Sequence, residues 1–114
     1  MGRYWALHDI TVVTPVFFKN KLVSFFACTA HVVDIGGRGF GADANSIYEE
    51  GIYIPIMKFI ASGEVDKTLI TMLRANVREP DQLIGDIHAH ATCNEIGYRR
   101  LNSMMSEFEI NNLN

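Results

Sequence analysis

The sequence predicts a mixed α/β chain of α+β character: a β-hairpin, a glycine-rich loop, an extended segment and two C-terminal helices. Three observations predict it. Residues 9–18 and 22–31 are two runs dense in β-branched and aromatic side chains, parted by Lys19-Asn20-Lys21. Glycines then cluster at positions 36, 37, 39 and 41. From residue 67 onward apolar side chains recur at three- and four-residue steps, the period of a helix.

The first run, Asp9 to Phe18, reads as a strand, and Pro15 inside it argues for an edge position or a bulge because proline cannot donate to a ladder. Asn20 tolerates positive φ, so Lys19 to Lys21 is a tight turn and residues 22–31 return as the second strand. The apolar run from Leu22 is nearly continuous, which predicts cover on both faces of the hairpin. Residues 34–46 form the glycine loop, in which Gly36, Gly37 and Gly39 permit positive φ and close backbone approach. Asp43 is the expected N-cap of a short helix around Asn45 to Glu50, ended by Gly51.

Ile52 to Ile60, with Pro55 inside it, reads as extended, and Ala61 to Glu64 as a turn. Asp66 is the expected N-cap of a helix from Lys67 to about Asn76, with Leu69, Ile70, Leu73 and Val77 on one stripe. Arg78-Glu79-Pro80 breaks it, and Pro80 suits the first turn of a long helix over 81–108. Its stripe is Ile84, Ile87, Ala91, Tyr98, Leu101, Met105 and Phe108. Gly85 and Gly97 inside it imply close packing, since each costs about 1 kcal/mol against alanine. The tail 109–114 is expected to fray.

At 114 residues, 48% hydrophobic and 20% charged, the chain has the size and composition of one globular domain. A net charge of −3 without a Lys/Arg cluster gives no footprint for nucleic acid. Arg3, His8 and Asp9 interrupt any signal-peptide core at the N-terminus, and the most apolar window, Leu22 to Val33, is too short to span a membrane, so a cytoplasmic chain with no membrane partner is expected. Cys28 and Cys93 lie in apolar surroundings and read as reduced, buried thiols.

The chemistry gathers where the second strand ends. His31 and Asp34 combine an imidazole nitrogen with a hard carboxylate, a mix that suits zinc, manganese or iron. The alternative is a histidine ending a strand and an aspartate capping the loop. A hairpin turning at Asn20 sets residue 9 opposite residue 31, so Asp9 is a further ligand candidate, or the partner of an Asp–His bond that only fixes the strand end. His8 stands beside it. Asp86, His88 and His90 make a second cluster on the long helix, read as a solvated or partner-facing surface. The G-G-x-G-x-G run lacks the strand–helix frame of a phosphate loop.

Asp9-Ile-Thr-Val-Val-Thr-Pro-Val-Phe17, Ala30-His-Val-Val-Asp-Ile-Gly-Gly37, Ser46-Ile-Tyr-Glu-Glu-Gly51, Ile54-Pro-Ile-Met-Lys58, Arg74-Ala-Asn-Val-Arg78, Gly85-Asp86 and Arg99-Arg-Leu101 follow in that order. With them the chain resembles the hydantoinase B/oxoprolinase family over roughly residues 7–108. The resemblance implies a hydrolase acting on cyclic amides such as hydantoins or 5-oxoproline, or, in another branch, an ATP-dependent ketone carboxylase subunit. It implies ATP use on a hydantoinase A-type partner in a hetero-oligomer, and a divalent metal on the B-type protein. His31 and Asp34 then fall on metal-ligand positions, with Asp9 and His8 behind them; catalytic residues are not assigned.

Family members run to several hundred residues. Their preceding segment carries an Asn-Asp-Pro motif, and some relatives have a ligand histidine where this chain has Tyr53. Residues 1–114 are therefore expected to form one partial domain of a larger subunit fold, marginal alone because its hairpin lacks cover. The rival expectations are a non-catalytic remnant and a split subunit whose site is completed by the remainder of the B-type subunit on a neighbouring polypeptide.

Overall fold

A computed structural model describes residues 7–39 and 43–113. The chain runs β1 (Asp9–Phe18), β2 (Lys21–His31), α1 (Ile47–Glu50), β3 (Ile60–Ala61), β4 (Glu64–Val65), α2 (Lys67–Asn76) and α3 (Pro80–Glu107). This is the expected mixed α/β order of hairpin, loop, extended segment and two helices. Two compact units are distinguishable among the described residues: those up to Ile10 with those of 31–86, and Thr11–Ala30 with those from Ile87 onward. No helix among the described residues is long and apolar enough to cross a membrane.

The hairpin turns on Lys19 and Asn20, both with positive φ (49° and 63°). Two left-handed residues match the twist of the flanking strands, so the turn needs Lys19 as well as the expected Asn20. The Thr11 and Thr29 hydroxyls meet at 2.7 Å, which pairs positions whose numbers sum to 40. One hairpin face holds Val12, Thr14, Val16, Phe18, Phe26 and Cys28. On the opposite face Val13, Phe17 and Phe25 are exposed. Cover on both faces was expected from the apolar run; one face is bare among the described residues.

In the unit holding the hairpin, α3 supplies the cover. Asn94 donates to the Val12 carbonyl oxygen at 2.9 Å and to Thr14 Oγ1 at 3.2 Å, and the Tyr98 hydroxyl donates to the Phe17 carbonyl oxygen at 3.0 Å. Gly97 faces the Phe26 ring, which a Cβ would meet at 3.0 Å, so close packing explains that glycine. Gly85 has open space around it and is not explained this way. Phe108, expected on the buried stripe, is 65% exposed, whereas His90 and Asn94 are buried. The surface read from Asp86, His88 and His90 is therefore solvated at His88 but not at His90.

The C-terminus of α3 closes in a Schellman arrangement. Glu109 takes φ 54°, the Ile110 N–H donates to the Met105 carbonyl oxygen at 2.9 Å, and the Glu109 N–H to that of Ser106 at 3.4 Å. Lys19 Nζ donates to Asn111 Oδ1 at 2.9 Å. The segment expected to fray from residue 109 is thus tied down as far as Asn111.

In the other unit α2 begins as expected, with the Asp66 carboxylate accepting from the Leu69 N–H at 2.7 Å. Leu69 and Leu73 are its buried residues. The turn at 61–64 is the tip of a hairpin, β3–β4, whose two-residue strands are too short to show a sequence pattern. Ser46, not Asp43, occupies the N-cap position of α1, and its side chain makes no cap bond. The Glu49 carboxylate instead reaches back to the Asn45 N–H at 2.7 Å. Gly41, the fourth glycine of the loop, lies outside the described residues.

Candidate functional site

Register brings the first pair of candidates together. β1 starts at Asp9 and β2 ends at His31, and His31 Nδ1 pairs with Asp9 Oδ1 across the hairpin. The Val32 N–H donates to the His8 carbonyl oxygen at 2.9 Å, so the ladder continues one step past the strand ends. The His31 side chain is 59% exposed, with its ring orientation set by Asp9. It is the accessible end of the cluster.

Asp34 is placed otherwise. Its carboxylate is buried and accepts from the Gly36 N–H at 2.9 Å, the Glu79 N–H at 3.2 Å, Arg78 Nη1 at 2.9 Å and the Arg78 N–H. Four donors fill the acceptor positions of a carboxylate, two on each oxygen. Two of them lie just ahead of Pro80, so the anion also sits at the positive end of α3. Burial alone would raise the Asp34 carboxyl; the three N–H groups and the Arg78 guanidinium outweigh it and hold it below its ordinary value of 3.8. Arg78 Nη2 donates on to the Gly37 carbonyl oxygen, so one guanidinium grips both the aspartate and the loop.

The glycines weld this region. Gly36 and Gly37 have φ of 79° and 61°. A Cβ on Gly36 would collide with the Asn76 carbonyl, and one on Gly37 with the backbone of Glu49 and Glu50. The Arg38 N–H donates to the Glu49 carbonyl oxygen at 2.9 Å, and the Ile52 N–H to that of Ile35 at 2.8 Å. The N–H groups of Gly36 and Arg38, which a phosphate loop would turn toward an anion, are thus spent inside the fold. Gly39, with φ 88°, has open space beside it.

His8 is buried, close to Glu50, which is also buried and accepts from the Leu7 N–H at 3.2 Å. Burial pushes the His8 imidazole below its ordinary value of 6.5, and His31 adds to this; Glu50, Asp34 and Asp9 oppose it. His8, Asp9, His31, Asp34 and Glu50 therefore share one electrostatic neighbourhood. Sequence reasoning missed Glu50 and Arg78. The signals were a carboxylate immediately before the obligatory turn at Gly51, and an arginine at the helix break beside Pro80.

A metal asks for more than this. Among the described residues no group of three or more His, Cys, Asp or Glu side chains is arranged to hold one. Asp34 would have to release donors it already binds. Tyr53 is 66% exposed and offers no imidazole. The residues present do not make up a metal centre by themselves.

Comparison with known proteins covers the whole of this architecture. The model of the family described as hydantoinase B/oxoprolinase matches residues 4–114. The beta subunit of the caprolactamase of Pseudomonas jessenii is 33% identical over 105 residues, 90% of this chain and 18% of that protein. The B-type polypeptide of a putative D-/L-hydantoinase of Pseudomonas sp. (strain NS671) is 30% identical over 104 residues, 88% of this chain and 18% of that protein. The crystal structure of the ATP-dependent caprolactamase from Pseudomonas jessenii superposes with a TM-score of 0.79 at 33% identity, covering 90% of this chain and 18% of that one. The chain spans less than a fifth of the length of these relatives.

Proposed function

The chain belongs to the hydantoinase B/oxoprolinase family, and from that premise we propose that it serves as one segment of a B-type polypeptide opening a cyclic amide, with ATP used on a hydantoinase A-type partner. The observation that supports this most is the extent of the likeness: 90% of the chain follows the caprolactamase relative in sequence and in fold. Relatives at 30% identity or more carry the names caprolactamase, hydantoinase and 5-oxoprolinase, which favours cyclic-amide hydrolysis over ketone carboxylation.

In this reading the chain's own residues divide their work. Arg78, Asp34 and the paired glycines fix the loop that follows β2, so the backbone from His31 onward has one path. Asp9 orients the His31 imidazole and leaves its ring accessible. His31 is the side chain best placed to give a ligand to a divalent metal completed by residues outside this chain. Asp34 is the least, because its oxygens are committed to Arg78, Glu79 and Gly36.

The test is reconstitution with an A-type partner and the remaining length of a B-type polypeptide. ATP hydrolysis that depends on caprolactam, a hydantoin or 5-oxoproline, and falls with His31→Ala, is the expected result. ATP hydrolysis that answers only to a ketone with bicarbonate would move the chain to the carboxylase branch. Assembly without turnover of either class would make it a non-catalytic member.

A further inference from the structure

Cys28 and Cys93 were expected to be buried; Cys28 is half-buried, Cys93 is exposed, and both are free thiols. Their positions are fixed by contacts that involve neither sulfur. Phe26 and Cys28 are two residues apart in β2 and share a face. The Phe26 ring lies against Gly97, and Cys93 is one helical turn before Gly97 on the same side of α3. The step from Phe26 to Cys28 is about 6.6 Å along a strand, and the step from Gly97 back to Cys93 about 6 Å along a helix.

The direction agrees too. Asn94 reaches Val12 and Thr14 while Tyr98 reaches Phe17, so α3 runs with β1 and against β2. Val12 is the residue across from Cys28 in the register set by Thr11 and Thr29. Residue 93, next to Asn94, therefore stands over residue 28. The thiols feel each other: burial and then Cys93, as neighbouring acid and hydrogen-bond partner, raise the Cys28 thiol above its ordinary value of 9.0.

We propose that Cys28 and Cys93 are a dithiol site that a hydroperoxide closes into an intramolecular disulfide, fastening β2 to α3. The exposed Cys93 reacts first. Its sulfur takes the distal peroxide oxygen, giving a sulfenic acid and releasing the alcohol (or water, from hydrogen peroxide). The Cys28 sulfur then attacks the Cys93 sulfur, forming the S–S bond as hydroxide leaves and takes the Cys28 proton to become water. Two thiols lose two electrons and two protons; the peroxide is reduced. A shared soft metal is not the reading, because no third ligand completes such a site among the described residues.

The test uses the full chain, reduced, freed of reductant and treated with hydrogen peroxide. Loss of both thiols, an intact mass lower by two hydrogens and a cross-linked peptide joining Cys28 to Cys93 are expected. Thermal unfolding of the oxidised chain should move upward and return on addition of dithiothreitol. Cys28→Ser is expected to stop at a sulfenic acid on Cys93, trapped by dimedone, and Cys93→Ser to form no intramolecular bridge. The wild-type peptide map decides the matter even where a variant folds poorly. Dimers linked through Cys93, over-oxidation of Cys93 beside an intact Cys28 thiol, or no reaction of either thiol would each overturn the proposal.

Discussion

Around Asp34 and along the hairpin the chain faces the same difficulty, that of joining segments far apart in sequence, and meets it with different materials. Near Asp34 the joints are backbone to backbone and charge to backbone: glycines remove the Cβ, and one carboxylate collects the N–H groups of Gly36, Arg78 and Glu79. Along the hairpin the joints are side chains laid on a helix face, with Asn94 and Tyr98 as polar rungs among apolar contacts. The first kind of joint tolerates almost no change at its few positions. The second spreads its stability over many residues, so each matters less.

Asp34→Ala should break that comparison most visibly. It leaves three backbone donors without their acceptor and takes one of two partners from the exposed Arg78 guanidinium, which keeps the Gly37 carbonyl oxygen, a loss of about 3 kcal/mol. Asn94→Ala removes a donor from two acceptors that keep other options, about 1 kcal/mol. Urea midpoints of both variants measure the gap. Equal losses would show that the carboxylate is no more than one bond among many.

Next in size are the loop glycines. Gly36→Ala and Gly37→Ala place a methyl group against backbone that cannot rotate away, at positive φ, and should cost about 2–3 kcal/mol each. Gly39→Ala, with φ 88° but open space, carries only the conformational penalty of about 1 kcal/mol. A Gly39 variant as damaging as the other two would mean that φ, not the close approach, sets the requirement.

The hairpin was legible because its evidence is local: two runs of β-branched and aromatic side chains, a turn residue and a register that follows from counting. Its prediction that residue 9 meets residue 31 holds in the Asp9–His31 pair. The helices were legible for the same reason, down to Asp66 as N-cap. What escaped depends on partners distant in the chain. Nothing near Asp34 announces that Arg78 will fill its acceptors, and nothing near Gly36 names the Asn76 carbonyl it must approach. His90 and Asn94 interrupt an apolar stripe yet are buried; for Asn94 the reason is the Val12 carbonyl oxygen it finds on β1. Fold class therefore came from periodicity, while the chemical state of the candidate site came only from contacts.

Acid should separate the two regions again. The His8 imidazole and Asp34 carboxyl both have folded values below their ordinary ones of 6.5 and 3.8. The unfolded chain then binds protons first as pH falls, so stability is full above about pH 6.5, declines below it through His8, and declines again below about pH 3.8 through Asp34. In the hairpin unit the shifted group is Cys28, raised rather than lowered, which adds no step in acid. His8→Gln should remove the first decline and Asp34→Asn the second. A wild-type urea midpoint unchanged through pH ~6 and ~5 would sink the assignment to His8.

The smallest effects sit on α3 itself, where one glycine falls in each region. Gly85 is exposed, helical and clear of neighbours, so it contributes flexibility to the unfolded chain and no contact to the folded one. Gly85→Ala should stabilise by about 0.5–1 kcal/mol. Gly97 has the same intrinsic penalty, but its alanine would press on the Phe26 ring at 3.0–3.1 Å. The ring edge must shift a few tenths of an ångström, and the packed β2–α3 contact resists, so the helix-propensity gain is offset and Gly97→Ala should be neutral or worse. Two identical substitutions twelve residues apart on one helix thus differ in sign only if packing governs the hairpin unit. If both stabilise equally, Phe26 yields freely and the contact at Gly97 is not the joint that holds β2 to α3.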